Sequence, residues 1–195
     1  MSGAIAVAVL GAGLATRFGS DKLAAPLHGR PLAHHVLAAL AGFDWPQKLL
    51  VCRGAPDWSR AYAQAGFTLL QLPDASAGLR GSMHRAAQAA TCERLLICLA
   101  DMPQVPRAHL QALLDAARDW PGAVASVAPG YRGPPAILPV AALRGLPATG
   151  DEGARPLLQQ ARQVAGESAW FADIDRTGDL ERLAAPMAPR QAGQR

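Results

Sequence analysis

Residues 11–31 read GAGLATRFGSDKLAAPLHGRP and follow directly on the apolar run of residues 4–10, AIAVAVL. The stretch holds four glycines, and the cations Arg17 and Lys22 lie on either side of Gly19. Glycine lets the backbone approach an anion with its N–H groups turned inward, and cations neutralise the charge that is bound. The sequence therefore predicts a strand that opens into a phosphate-binding loop.

Apolar strand-like runs alternate with helical patterns along most of the chain. The predicted strands cover residues 4–10, 48–52, 67–72, 94–99, 123–127, 136–138 and 169–171. The predicted helices cover residues 31–42, 57–65 with Asp57 as N-cap, 83–91, 106–120 and 155–164. This alternation predicts an α/β three-layer sandwich with a mainly parallel sheet covered on both faces. Ligands of such sheets bind outside the carboxyl ends of the strands, so we expect the opening loop, residues 74–82 and Asp101 to converge on one cleft.

The 195 residues are enough for one domain with a full core. We assign residues 1–184 to that domain, and we expect residues 185–195, rich in Ala, Pro, Gln and Arg, to be a disordered tail. No apolar run reaches the roughly 18–20 residues of a membrane span, and no basic segment precedes the first apolar run. Cys52 and Cys98 lie in apolar runs and are predicted core residues. Together these features favour a cytoplasmic protein without a membrane partner.

The net charge of +4 and the pI near 9.4 raise the possibility of a nucleic-acid partner. The cations are scattered singly and aromatic residues make up only 5% of the chain, which favours a protein that binds no nucleic acid. Seventeen of the nineteen cations are arginine, so the lysine inside the glycine-rich loop indicates that a compact ammonium is wanted there.

Two common phosphate loops are excluded by single positions. The dinucleotide fingerprint requires glycine where Thr16 stands, and no acidic residue follows roughly 20 residues later. The P-loop requires lysine directly after the last glycine, but Gly19 is followed by Ser20 and Asp21. A glycine-rich turn without a ligand explains the glycines but leaves the flanking Arg17 and Lys22 unexplained.

The pattern L-G-A-G-L-A-T-R-F-G-S-D-K-L, followed by P-L-H-G-R-P-L, resembles the signature of the MobA-like NTP transferases, usually L-A-A-G-x-S-x-R-[MF]-G-x-x-K with a later G-x-P-L. The chain departs from it at Gly11, where alanine is usual, and at Ala15, where serine is usual. Seven positions fall in register: Gly13, Arg17, Gly19, Lys22, Gly29, Pro31 and Leu32. Further segments resemble the family at Gly81–Met83, Leu99–Pro103, Gly133–Pro135, Gly150–Arg155 and Asp173–Leu180. The resemblance implies a Rossmann-like nucleotidyltransferase fold of the nucleotide-diphospho-sugar transferase type.

The resemblance also implies the reaction, in which a phosphate on an acceptor attacks the α-phosphorus of an NTP and pyrophosphate leaves. Catalysis is then mostly positioning and charge neutralisation. Arg17 is expected on the β- and γ-phosphates and Lys22 near the α-phosphate, and with Asp101 they are the predicted catalytic residues. The predicted nucleotide-binding residues are Leu10, Gly11, Ala12, Gly13, Arg17, Lys22, Asp74, Ser82 and Asp101.

Magnesium is the expected cofactor, because it bridges a triphosphate and prefers hard oxygen ligands. Asp101 is the first candidate ligand, and Asp173 or Asp175 is the candidate second ligand. Asp101 is alternatively a turn or helix-capping residue, and the later pair alternatively caps the last helix. Asp151 and Arg155 resemble acceptor-binding residues, although Arg155 fits a solvated helix position equally well. The histidines form no triad with a serine and are interpreted as structural.

Two branches of the family differ at the first loop. Guanylyltransferases of molybdenum-cofactor synthesis usually read L-A-G-G there, and cytidylyltransferases L-A-A-G. Ala12 occupies the deciding position and favours a pyrimidine, whereas Met102 stands where the cytidylyl branch commonly has glutamine. The resemblance thus implies CTP, or alternatively GTP, and molybdopterin cofactor as substrates, with a molybdoenzyme receiving the product. The alternatives are the same transfer to a sugar or polyol phosphate, and a non-catalytic nucleotide- or cofactor-binding chaperone of a molybdoenzyme.

Overall fold

The computed structural model describes residues 3–13, 21–72, 78–148, 153–174 and 177–184. Its strands are β1 (Ile5–Gly11), β2 (Pro26–Leu27), β3 (Arg30–Pro31), β4 (Lys48–Cys52), β5 (Thr68–Gln71), β6 (Arg94–Leu99), β7 (Val124–Ala128), β8 (Tyr131–Pro139) and β9 (Arg162–Ala165). Its helices are α1 (Ala33–Leu40), α2 (Ser59–Gln64), α3 (Gly78–Ala89), α4 (Arg107–Ala117), α5 (Val140–Arg144), α6 (Arg155–Leu158) and α7 (Thr177–Ala184).

Seven strands form one sheet in the order β5-β4-β1-β6-β8-β7-β9, while β2 and β3 make a separate two-stranded hairpin. The central strand β1 pairs in parallel with both β4 and β6. Within the described ranges, β8 is the one strand of this sheet that runs antiparallel to its neighbours. The predicted α/β class with a mainly parallel sheet is therefore confirmed.

The core lies in two layers, one on each face of the sheet, because successive side chains of a strand point to opposite faces. On β1, Val7 and Val9 join the layer that packs against α1 and α4. Ala6 and Ala8 join the opposite layer, which packs against α3 and α5. All four residues have no exposed surface, which explains why β1 reads as a continuous apolar run.

The segment 131–135 was predicted as a loop before a short strand, and that prediction is wrong. Tyr131–Pro139 is one nine-residue strand, β8. The register against β7 shifts between Ala125 and Ser126, so that Ala125 faces Ala136 while Ser126 faces Gly133. Pro134 and Pro135 fall in this irregularity, where their missing N–H groups remove no ladder hydrogen bond.

The region after residue 150 also differs from the sequence prediction. The predicted helix 155–164 is the single-turn helix α6 followed by the edge strand β9, whose first N–H, that of Arg162, donates to Ala123. The predicted strand 169–171 is a 3-10 turn, Ser168–Phe171, because Phe171 turns inward to stack on Tyr131. The edge strand β9 is half-exposed and the turn at Phe171 is aromatic. Neither contains the continuous apolar run that predicts a buried strand, so the sequence pattern did not identify them correctly.

Two helix starts need smaller corrections, and the short helix α5 is not among the predicted helices. The helix α3 begins at Gly78, so the preceding loop is shorter than predicted. The helix α2 has Trp58 at its N-cap position, while the Asp57 carboxylate pairs with Arg60 on the surface. The short helix α5 follows Pro139, which ends β8 and pre-sets the turn into a helix.

Cys52 and Cys98 are buried, as predicted, and burial raises the pKa of the Cys98 thiol to about 12. In the part of the chain that the structure describes, no helix combines the length and apolar character needed to cross a membrane. The predicted tail, residues 185–195, lies outside the described residues.

Candidate functional site

A cavity of about 280 Å³ opens at the carboxyl edge of the sheet. It lies where β1, β5 and β6 end and where α3 begins. The lining residues are Leu10, Gly11, Ala12, Gly13, Lys22, Leu23, Leu72, Gly78, Leu79, Ser82, Leu99 and Asp101. The fold thus brings the end of the first strand, one lysine and one carboxylate from distant parts of the chain to a single cleft.

The end of β1 is fixed on both sides by backbone pairing. Gly11 still pairs with Cys52 of β4, and the N–H of Ala100 donates to the carbonyl of Leu10 at 3.0 Å. Gly11 is closely packed, since a Cβ built on it would lie 2.9 Å from Cη2 of Trp58. A Cβ built on Gly13 would meet nothing within 4 Å, so the strand leads from a packed position into open space.

Lys22 reaches the cleft from a 3-10 turn that begins directly after Asp21. Oδ1 of Asp21 accepts a hydrogen bond from the N–H of Leu23 at 3.0 Å and caps the turn. The Lys22 Nζ donates to Oδ2 of Asp101 at 2.7 Å and to the carbonyl of Ile174 at 3.0 Å. The ammonium is therefore held at the cavity wall by two oxygens, one of them charged.

Asp101 follows the buried strand β6 and lies in a turn before α4. Because α4 begins at Arg107, Asp101 does not cap this helix. Its carbonyl accepts a hydrogen bond from the N–H of Ile174 at 3.3 Å, which holds the segment of Asp173 next to it. Burial raises the pKa of the Tyr131 phenol, and the nearby charges of Asp173 and Asp101 raise it further.

Tyr131 was not singled out by the sequence. It lines a separate cavity beside the ends of β7 and β9 and contacts Met102, the residue after Asp101. Its ring stacks on Phe171 with centroids 4.9 Å apart, and its hydroxyl donates to the carbonyl of Pro134. The hydroxyl also lies 4.0 Å from Sδ of Met102, which is 2% exposed. Met102 is thus a core residue beneath the site and does not line the cavity. The sequence carried no local signal for Tyr131, since its role depends on packing between β8 and a distant turn.

The donor set near Asp101 fits a hard divalent cation. Magnesium and manganese take carboxylate oxygens, and magnesium typically uses one or two carboxylates together with substrate phosphates and water. Asp101 is partly exposed and Asp173 is exposed, so solvent reaches both residues. Over the described residues no group of three or more His, Cys, Asp or Glu side chains gathers into a metal-binding cluster. Asp101 and Asp173 are the described carboxylates that would hold such a cation together with a triphosphate.

The other predicted site residues lie on the wall of this cavity, at a separate cavity, or outside the described residues. Ser82 lines the cavity from α3, and its hydroxyl donates to the carbonyl of Gly78. Arg155 is exposed and lines a separate cavity of about 710 Å³ next to the ends of β7 and β9. Four predicted residues lie outside the described residues, namely Arg17, Asp74, Asp151 and Asp175.

The structure also accounts for the paired histidines of α1. One ring nitrogen of His34 contacts the carbonyl of Trp58 at 2.9 Å, and one of His35 contacts the carbonyl of Leu27 at 2.9 Å. Both imidazoles therefore serve as hydrogen-bond donors to the backbone in these contacts.

A glycine-ended central strand, a lysine and a carboxylate at the carboxyl edge of a mainly parallel sheet define a nucleotide-binding α/β domain. The chain belongs to the MobA-like NTP transferase family, whose domain model matches residues 7–165. Its domain is accordingly that of a nucleotidyltransferase, a class that works with divalent metals.

One curated relative shares sequence with part of the chain. The bifunctional protein GlmU of Sphingopyxis alaskensis is 34% identical over 131 residues, which cover 64% of this chain and 29% of that protein. The chain thus spans less than a third of the length of the curated relative it matches.

Solved structures share the fold over nearly the whole chain. Rv0371c of Mycobacterium tuberculosis superposes with a TM-score of 0.75 at 22% identity, covering 94% of this chain and 99% of that one. The same protein has also been solved in complex with manganese. The nucleotidyl transferase Mth528 of Methanothermobacter gives 0.75 at 22% identity, with 93% and 96% coverage. The molybdopterin-guanine dinucleotide biosynthesis protein A of Archaeoglobus fulgidus gives 0.63 at 22% identity, with 91% and 96% coverage.

Proposed function

We propose that the chain transfers CMP from CTP to the phosphate of the molybdopterin cofactor and releases pyrophosphate, with Mg²⁺ as cofactor. The observation that carries the nucleotidyl transfer is the meeting of Gly11–Gly13, Lys22 and Asp101 around one cavity. Attacker and target are both anionic in this reaction, so charge neutralisation and alignment are what the protein must supply.

The reaction balances without a redox partner. An oxygen of the acceptor phosphate forms a bond to the α-phosphorus of CTP, and the bond from that phosphorus to the bridging oxygen of the β-phosphate breaks. The electron pair leaves with pyrophosphate. The attacking oxygen belongs to a phosphate that is already ionised near neutral pH, so no side chain has to remove a proton.

The first loop and the lysine would neutralise the nucleotide. Gly13 is exposed and unobstructed, so the backbone after β1 can approach a phosphate closely. The Lys22 ammonium already lies between two oxygens at the cavity wall and can exchange them for phosphate oxygens. Arg17, which lies between these two positions in the sequence, would bind the outer phosphates.

Asp101, with Asp173 or Asp175, would hold the metal. When bound, Mg²⁺ neutralises charge on the triphosphate and orients it. The hydrogen bond from Ile174 to Asp101 keeps the two carboxylate-bearing segments together before any ligand arrives. This arrangement limits the reorganisation needed on binding.

Ala12 supports the choice of CTP. It is 6% exposed, lines the cavity and presents a methyl group where the guanylyl branch of the family has none. A methyl group on the cavity wall disfavours a purine and leaves room for a pyrimidine. Asp74 and Ser82 would contribute to binding the base and ribose.

The acceptor is assigned from the family resemblance, with Asp151 and Arg155 as its candidate ligands. A molybdoenzyme would receive the finished dinucleotide cofactor. A sugar or polyol phosphate is the alternative acceptor, and GTP is the alternative nucleotide.

The test measures pyrophosphate release by the purified chain with each of the four NTPs, Mg²⁺ and either molybdopterin, a sugar phosphate or a polyol phosphate. We expect turnover with CTP and molybdopterin that stops when EDTA is added. Turnover with GTP but not with CTP would contradict CTP as the nucleotide. Turnover with a sugar phosphate but not with molybdopterin would contradict molybdopterin as the acceptor. Tight CTP binding without any pyrophosphate release would favour a non-catalytic chaperone.

A further inference from the structure

One buried side chain, Trp58, contacts both ends of the stretch from Gly11, the last residue of β1, to Asp21. At the first end, the packing against Gly11 is so close that a Cβ there would lie 2.9 Å from Cη2 of the indole. At the second end, the indole Nε1–H donates to Oδ2 of Asp21 at 2.9 Å. Trp58 is only 4% exposed, so it bridges the two ends from within the core.

The bond to Asp21 bears directly on Lys22. Asp21 uses its other oxygen to cap the 3-10 turn that starts with Lys22, so both carboxylate oxygens are engaged. Asp21 itself is exposed and would otherwise sample several rotamers. The indole therefore fixes the carboxylate, and the carboxylate fixes the turn from which the ammonium of Lys22 projects.

Trp58 is in turn held by contacts that involve no ligand. Its carbonyl accepts a hydrogen bond from the His34 ring at 2.9 Å, and its ring meets Tyr62 edge-on with centroids 6.0 Å apart. Tyr62 has no exposed surface and donates to the carbonyl of Ala33 at 2.6 Å. These contacts join Trp58 to α1 and α2, so its position is set by the scaffold.

We propose that Trp58 is a positioning residue that aligns the end of β1 at Gly11 with Asp21 and, through Asp21, the ammonium of Lys22. The catalytic meaning of this alignment rests on the proposed function. The same contact explains why Gly11 replaces the alanine that is usual in the family, since a methyl group at that position would collide with the indole. Gly11 and Trp58 are thus expected to depend on each other.

The first test measures how fast the amine of Lys22 is acetylated when no nucleotide is present. The chain has two lysines, Lys22 and Lys48, so trace acetylation with peptide mass spectrometry gives one reporter and one internal control. In Trp58→Phe we expect Lys22 to react several-fold faster than in the wild type, while Lys48, which donates to the carbonyl of Ala65, is unchanged. Asp21→Ala, a change at an exposed residue that leaves the core intact, is expected to act in the same direction.

The matched control is Tyr62→Phe, which removes one hydrogen bond from a neighbouring buried aromatic residue and keeps its ring. It is expected to lower stability without changing the ratio of the two lysine rates. An unchanged ratio in both Trp58→Phe and Asp21→Ala, or an equal change in Tyr62→Phe, overturns the proposal.

The second test is a double-variant cycle on turnover. Gly11→Ala and Trp58→Phe are each expected to lower kcat by roughly 10-fold or more, because a small misplacement of reacting groups is costly. Phenylalanine lacks the outer part of the indole, so the double variant should lose less than the product of the two single losses. If the loss of kcat in the double variant equals the product of the two single losses, Gly11 and Trp58 do not depend on each other. If the wild type releases no pyrophosphate with any NTP, the proposed function fails, and the acetylation ratio still decides the role of Trp58.

Discussion

The ammonium of Lys22 lies 2.7 Å from a carboxylate oxygen of Asp101, although 79 residues separate them in the chain. The two side chains are 12% and 21% exposed, so the pair is screened less than an ordinary surface ion pair. The same carboxylate is the first candidate metal ligand, and the same ammonium is a candidate phosphate ligand. On the proposed function, a cation bound at Asp101 would compete with Lys22 for the carboxylate, and a triphosphate that binds the ammonium would relieve this competition and so couple metal binding to nucleotide binding.

Replacing Lys22 by methionine should separate these two events. We expect Lys22→Met to bind Mn²⁺ about 5-fold or more tightly without nucleotide, because the competing positive charge is gone, and to bind CTP more weakly. Electron paramagnetic resonance of free Mn²⁺ measures the metal, and calorimetry measures the nucleotide. Lys48→Met is the matched control, since Lys48 lies at the start of β4 and contacts the carbonyl of Ala65. Unchanged or weaker Mn²⁺ binding in Lys22→Met would contradict the competition.

Asp101→Asn keeps the size of the side chain and an oxygen that accepts from Lys22, but removes the charge. We expect kcat to fall by roughly 100-fold or more and Mn²⁺ affinity to drop, with little change in Tm. Asp119→Asn provides the control, because Asp119 is also paired with a cation, Arg162 at 2.6 Å, far along the sheet. A variant with full kcat and reduced CTP affinity would remove Asp101 from the metal site.

The features that could be predicted from the sequence are those that depend on a local pattern of residues. The buried strand β1 and the strand β6 contain apolar runs that are followed by glycines and by Asp101, respectively. General rules of parallel sheets therefore predict that they are strands and that their ends meet at one edge. No local pattern identifies Trp58 or Tyr131, because the contacts of each are with segments distant in sequence. The Pro134–Pro135 pair led to a wrong prediction, because a strand was not expected at these residues. Proline argues against a strand, and only the register shift opposite Ser126 makes room for it.

The stability of the domain should fall as the pH drops below about 6.5, the ordinary pKa of histidine. His109 is buried and hydrogen-bonded to the Ser126 hydroxyl at 2.8 Å, and burial lowers its pKa. Burial likewise lowers the pKa of His35. Between the lowered folded-state pKa and 6.5 the unfolded chain binds more protons than the folded one, so protons favour unfolding in that window.

Urea unfolding at a series of pH values from 8 to 5 measures this effect. Each buried histidine adds at most about 1.4 kcal/mol per pH unit to the slope of unfolding free energy. His109→Gln should flatten the profile below pH 6.5 even if it lowers stability at pH 8, where the histidine is neutral in both states. His28→Gln, at an exposed histidine, controls for the loss of an imidazole. An equally steep profile in His109→Gln would show that the acid sensitivity arises elsewhere.

The methyl group of Ala12 gives the sharpest test of base choice. It lies on the cavity wall directly after β1, is 6% exposed, and belongs to the same core layer as Ala8. Ala12→Gly enlarges the cavity by one methyl group and should shift the ratio of kcat/KM for CTP to that for GTP towards GTP by roughly 10-fold or more. Ala8→Gly, which makes the same change deeper in β1, should lower stability and leave the ratio unchanged. If Ala12→Gly keeps the wild-type ratio, the base is selected by other residues of the cleft, and the sequence difference at this position would no longer distinguish the two branches of the family.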